Sequence, residues 1–126
     1  MAVKKIGVAC NVGAQIAGTQ HAASVASTWT KAPDVMIVQN RKFGTHDHFI
    51  YMILDVITRL QEQVKQAIDD GDFPLVIGGD HSISMGSLPY KEDTFVLWID
   101  AHGDVNTPEG SITKRIHGMP VAALMG

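Results

Sequence analysis

Short apolar runs alternate along this chain with one long amphipathic stripe, and the pattern predicts strands and helices in turn. Lys5-Ile6-Gly7-Val8-Ala9-Cys10 reads as a first strand. Asn11 to Gly18 follows as a loop rich in Gly and Ala, and His21 to Trp29 as a weak helix of small residues. Asp34 to Gln39 forms a second strand, bounded by Pro33 and by Asn40-Arg41. The clearest helix comes next. Phe49, Ile53, Val56, Ile57, Leu60, Val64, Ala67 and Ile68 recur at i, i+3 and i+4, while Asp55, Arg59, Glu62 and Lys65 fall largely elsewhere. Asp47 suits its N-cap and Gly71 its C′ stop. Pro74 to Ile77 is a third strand that runs into the Gly78-Gly79 break. A short helix near Ser82 to Leu88, a fourth strand over Thr94 to Asp100 and a helix over His117 to Met125 complete the order. Strands alternating with helices imply parallel pairing through right-handed crossovers. The expectation is four parallel strands, near Ile6, Val35, Leu75 and Phe95.

Two strand ends carry the chemistry. In Asp100-Ala101-His102-Gly103-Asp104, three metal-binding side chains stand at i, i+2 and i+4. Alternate residues of an extended strand share a face, so Asp100, His102 and Asp104 are expected to converge. Carboxylate with imidazole suits Mn, Fe, Co or Zn better than Ca or Mg alone. The second strand end is Gly78-Gly79-Asp80-His81-Ser82. It puts His81 at the carboxyl end of a strand, where parallel sheets form binding crevices, with Asp80 placed to orient an imidazole. Each motif alone has a plain reading as a polar turn; the pair together points to a metal site. His21, His46 and His48 read as solvated residues, and Cys10 as a small buried hydrophobe.

Together these motifs resemble the ureohydrolases, the arginase and agmatinase family of binuclear manganese hydrolases. Val105-Asn106-Thr107-Pro108-Glu109 and Ile116-His117-Gly118-Met119-Pro120 resemble the arginase branch in particular. The resemblance implies a three-layer α/β/α fold with a parallel sheet, of which residues 1–126 are the amino-terminal part of a single domain. It implies metal ligation by His81, Asp100, His102 and Asp104, proton transfer by His117, and contacts from Asn106 and Thr113 to the substrate α-carboxylate. Two Mn2+ ions are implied per complete site, with Fe, Co or Ni as substitutes. The implied reaction is hydrolysis of arginine to ornithine and urea, in a homo-oligomer. The family also uses a later Asp-x-Asp motif and a later Glu, which are not among these residues. Residues 1–126 alone are therefore expected to bind metal weakly and to hydrolyse no arginine. The chain departs from the arginase pattern at Thr113, where Ser is usual, and at Lys114-Arg115, which replaces Gly-Asn. Arg115 would either pair with a substrate carboxylate or repel a guanidinium.

Composition narrows the remaining choices. A chain of 126 residues suits one domain. Its net charge of −3 gives no reason to expect nucleic acid or a membrane surface as partner. A single cysteine excludes an internal disulfide framework and fits the reducing cytoplasm. Met1 to Cys10 holds Lys4 and Lys5 without the apolar core of a secretory signal. The competing readings are an arginase-like hydrolase, a relative acting on agmatine, guanidino acids or formimidoylglutamate, and a non-catalytic remnant that binds metal or forms oligomers.

Overall fold

The first apolar run forms the middle of a parallel sheet. A computed structural model describes residues 1–28, 31–39, 46–89 and 94–126, apart from the side chains of residues 46–48. Strand β1 (Val3–Ala9) lies between β2 (Val35–Val38) and β3 (Phe73–Ile77). Both pairings are parallel, with Ile6 opposite Val35 on one side and Gly7 opposite Ile77 on the other. The chain leaves β1 toward one side and returns past it to the other. With right-handed crossovers, that reversal sends the two connecting helices to opposite faces of the sheet.

The side chains agree. Ile6, Val8 and Cys10 point into a cluster with Ile53, Val56, Leu60 and Val64 of helix α2 (His46–Asp69). Gly7 faces the other way, where an added Cβ would lie 3.2 Å from that of Ala23 in helix α1 (Ala22–Ala26). The result is a sheet covered on each face, an α/β/α sandwich of three parallel strands. The amphipathic stripe behaves as its spacing predicts: Ile53, Val56, Leu60, Val64 and Ala67 are all buried. The helix closes at Gly71, with φ +78°, in a Schellman arrangement. There the Asp72 N–H donates to the Ala67 carbonyl and the Gly71 N–H to that of Ile68. The proposed N-cap, Asp47, falls within the helix and its side chain lies outside the described residues, as do those of His46 and His48. Trp29 and Asn40-Arg41 also lie outside them. Beyond β3, a 3-10 turn (His81–Ile83) leads into helix α3 (Ser84–Ser87), and a second 3-10 turn (Ile116–Gly118) precedes helix α4 (Pro120–Met125).

The expected fourth strand is absent from the sheet. Thr94 to Ile99 carries the β-rich composition of a buried strand, yet it has no ladder partner among the described residues. Phe95, Leu97 and Ile99 are left exposed. A strand is defined by the neighbour that takes its hydrogen bonds, and composition supplies none. No helix among the described residues is long and apolar enough to cross a membrane.

Two outcomes follow from this packing. Gly78 has φ +103°, and a Cβ there would sit 2.7 Å from the Ala23 backbone nitrogen and 2.8 Å from the Val8 carbonyl oxygen. Gly78→Ala combines a left-handed backbone with a collision against main chain, and is expected to cost about 3 kcal/mol in urea denaturation. A loss below about 1 kcal/mol would show that the turn relaxes freely. Burial pushes the Cys10 thiol up to about 11. Cys10 should therefore resist a thiol reagent at pH 8 in the native chain and react fully in denaturant; fast native labelling would contradict its burial.

Candidate metal centre

The loops after β1 and β3 meet where the strand order reverses, and a buried carboxylate joins them. Asp80 is 4% exposed. Its Oδ2 accepts from the Gly13 N–H at 2.9 Å, and its Oδ1 from the Ser82 N–H at 3.0 Å and the Ser82 hydroxyl at 2.6 Å. Its own N–H donates to the Cys10 carbonyl. Asp80 thus caps the turn that carries His81. It does not orient an imidazole as expected, because backbone and hydroxyl donors take its oxygens. The Gly13 peptide passes the constraint on. Its carbonyl faces His117 Nδ1 at 3.2 Å. A carbonyl only accepts, so in this contact Nδ1 carries the proton and Nε2 is the basic nitrogen.

His81 meets two carboxylates. Its Nδ1 lies 2.6 Å from Asp104 Oδ2 and 3.4 Å from Asp100 Oδ2. One ligand atom from each of the three lies within 4.8 Å of the others. Asp104 Oδ2 is buried and lacks a hydrogen-bond partner despite the short approach. The distance suits a hydrogen bond but the direction does not. Two donor atoms aimed at a common point, one of them an orphaned buried carboxylate oxygen, fit a cation shared between them.

The convergence does not arise from strand alternation. The chain bends at Asp100, whose Oδ1 accepts from the His102 N–H at 2.8 Å, and Asp104 adopts φ +48°. This Asx-type turn brings Asp100 and Asp104 together and swings the residue between them outward. His102 is accordingly outside the trio. Its ring is 82% exposed, with Nδ1 3.5 Å from Asp100 Oδ1. The two oxygens of Asp100 therefore face different imidazoles. The His102 backbone N–H, helped by the charges of both imidazoles against some desolvation, holds the Asp100 carboxyl below its ordinary value.

All seven residues singled out by sequence line one cleft of 510 Å³: His81, Asp100, His102, Asp104, Asn106, Thr113 and His117. Arg115 lines it too, and its guanidinium has no partner among the described residues. Lys114 instead turns its ammonium to the carbonyls of Pro108 and Glu109. Sequence reasoning missed the bracing of Gly13 by Asp80 and the stacking of Trp98 on His81, with ring centroids 4.8 Å apart. The one available signal was that Trp98 stands two residues before Asp100.

The chain is similar to known proteins in sequence and fold. A sequence profile of the arginase family matches residues 8–126. An arginase from Staphylococcus aureus (strain MRSA252) is 46% identical over 78 residues, which is 59% of this chain and 26% of that protein. An arginase from Bacillus caldovelox is 51% identical over 72 residues, covering 54% of this chain and 24% of its own. The crystal structure of arginase from Bacillus subtilis superposes with a TM-score of 0.86 at 30% identity, over 100% of this chain and 49% of that one. The chain thus spans about half the length of the solved arginase that it matches.

The orphaned oxygen gives a direct test. Mn2+ at a hundred times its dissociation constant should stabilise the chain by about 2.7 kcal/mol. Asp104→Asn should lose most of that gain while its metal-free denaturation midpoint changes little. Equal stabilisation of both proteins by Mn2+ would remove Asp104 from the site.

Proposed function

Because the chain belongs to the arginase family, we propose that its cleft is a ureohydrolase site for manganese-assisted hydrolysis of arginine to ornithine and urea. The observation that carries this reading is the shared cleft: the ligand atoms of His81, Asp100 and Asp104 lie together, and His117, Asn106, Thr113 and Arg115 line the same cleft. Bound manganese supplies Lewis acidity and a water of lowered pKa. His81 Nδ1, Asp100 and Asp104 are the residues that would hold it. Asp100 has one oxygen toward His81 and the other toward His102, and His102 would join it in holding a second ion.

His117 serves the proton transfer to the leaving group. Its Nδ1–H is held by the Gly13 carbonyl, so Nε2 takes a proton and delivers it to the departing amine. Asn106 and Thr113 supply neutral hydrogen bonds for the substrate carboxylate. Arg115 adds the one unpaired guanidinium on the cleft wall among the described residues. A planar guanidinium pairs with a carboxylate through two hydrogen bonds, whereas an amine at that end of the substrate meets like charge. Arg115 therefore favours arginine over agmatine.

The proposal separates from a non-catalytic role by urea release. Residues 1–126 alone should bind Mn2+ and release no measurable urea, since they offer four ligand candidates and no counterpart of the family's later aspartates. A chimera joining residues 1–126 to the remaining half of the Bacillus subtilis arginase should release urea from arginine, and chelator should abolish it. In that chimera, Asp104→Ala or His102→Ala should lower turnover by orders of magnitude and His117→Ala by less, because water partly replaces a proton shuttle. Arg115→Ala should raise KM for arginine about tenfold, the loss expected for a hydrogen bond to a charged group, and should lower KM for agmatine by relieving the like-charge contact. A folded, manganese-loaded chimera without urea release would overturn the catalytic reading.

A further inference from the structure

We infer that Trp98 is a positioning residue for His81, its indole face fixing the plane in which the imidazole meets the cation. The inference rests on the metal reading above. The two rings stack at a centroid distance of 4.8 Å with an interplanar angle of 24°. Nδ1 of the same imidazole lies 2.6 Å from Asp104 Oδ2.

His81 needs such a partner. The terminal torsion of histidine is broad, so its own bonds do not fix the plane of the ring. The capping of its turn by Asp80 holds the His81 backbone but not the ring. Tilting the imidazole about its Cβ–Cγ bond would drive a ring edge into the indole. Trp98 therefore holds the imidazole in the plane in which Nδ1 meets Asp104 and Asp100.

Trp98 Nε1 is buried without a hydrogen-bond partner, and the ring face stacks on His81. Trp98 also precedes Asp100 by two residues, so one short segment delivers both the stacking face and a ligand carboxylate to the same imidazole.

Mn2+ binding to the 126-residue chain tests this without any activity assay, by electron paramagnetic resonance of the free ion. Trp98→Leu removes the flat face and Trp98→Phe keeps one. Trp98→Leu should weaken Mn2+ binding tenfold or more, and Trp98→Phe should stay within about threefold of the parent, the range expected for residues that orient a ligand. The visible spectrum of the Co2+ form should change in Trp98→Leu alone. Leu binding as tightly as the parent, or Phe losing as much as Leu, would overturn the role of Trp98 while leaving the metal site standing. Absence of Mn2+ binding by the parent would overturn the metal reading and this inference together. If Trp98→Leu fails to fold, the Trp29→Phe chain decides, because Trp98 is then its only tryptophan. Paramagnetic Mn2+ should quench its fluorescence by more than half, and unchanged emission at saturating Mn2+ would overturn the inference.

Discussion

Asp80 is the fixed point on which the cleft depends. A carboxylate buried this deeply survives only when its oxygens are fully occupied by donors, and Gly13 and Ser82 provide them. The contacts bridge 67 positions of sequence and tie the loop after β1 to the loop after β3. Each end of the bridge then carries an imidazole that lines the cleft. On one side the capped turn presents His81. On the other, the Gly13 carbonyl holds His117 by one ring nitrogen and frees the second. Two imidazoles of the cleft are thus set by one buried acid, and neither is bound to it directly.

Against this rigid frame, the segment from Trp98 to Asp104 contributes the negative charge. Its Asx turn and left-handed Asp104 gather two carboxylates against His81 at a cost in backbone conformation. Asp104 Oδ2 and Trp98 Nε1 are both buried without hydrogen bonds. Unsatisfied groups of this kind concentrate where structure serves binding rather than stability. The apolar residues just upstream, Phe95, Leu97 and Ile99, remain exposed beside them.

Much of this was legible in the sequence, for identifiable reasons. The α2 stripe is periodic over many turns, and Gly71 ends it in the expected way. Asp100, Asp104 and His81 were legible because strand ends in parallel sheets are where ligands gather. The errors came where local rules meet tertiary ones. Alternation placed His102 with its neighbours, but a side-chain-to-backbone bond from Asp100 turned it outward. Composition made a strand of Thr94 to Asp100, although strand formation requires a partner that composition does not name. Asp80 looked like a companion for an imidazole, and long-range donors claimed it instead. Arg115 stood out as a departure from the arginase pattern, but only the cleft gave its charge a direction.

The account stands or falls on a cation at the meeting point of His81, Asp100 and Asp104. Crystals of the 126-residue chain grown with Mn2+, measured at the manganese absorption edge, test it most directly. The predicted result is an anomalous peak within coordination distance of His81 Nδ1 and Asp104 Oδ2, with Asp100 contributing an oxygen. A map with no peak there at saturating Mn2+, or with its strongest peak on other residues, would contradict it.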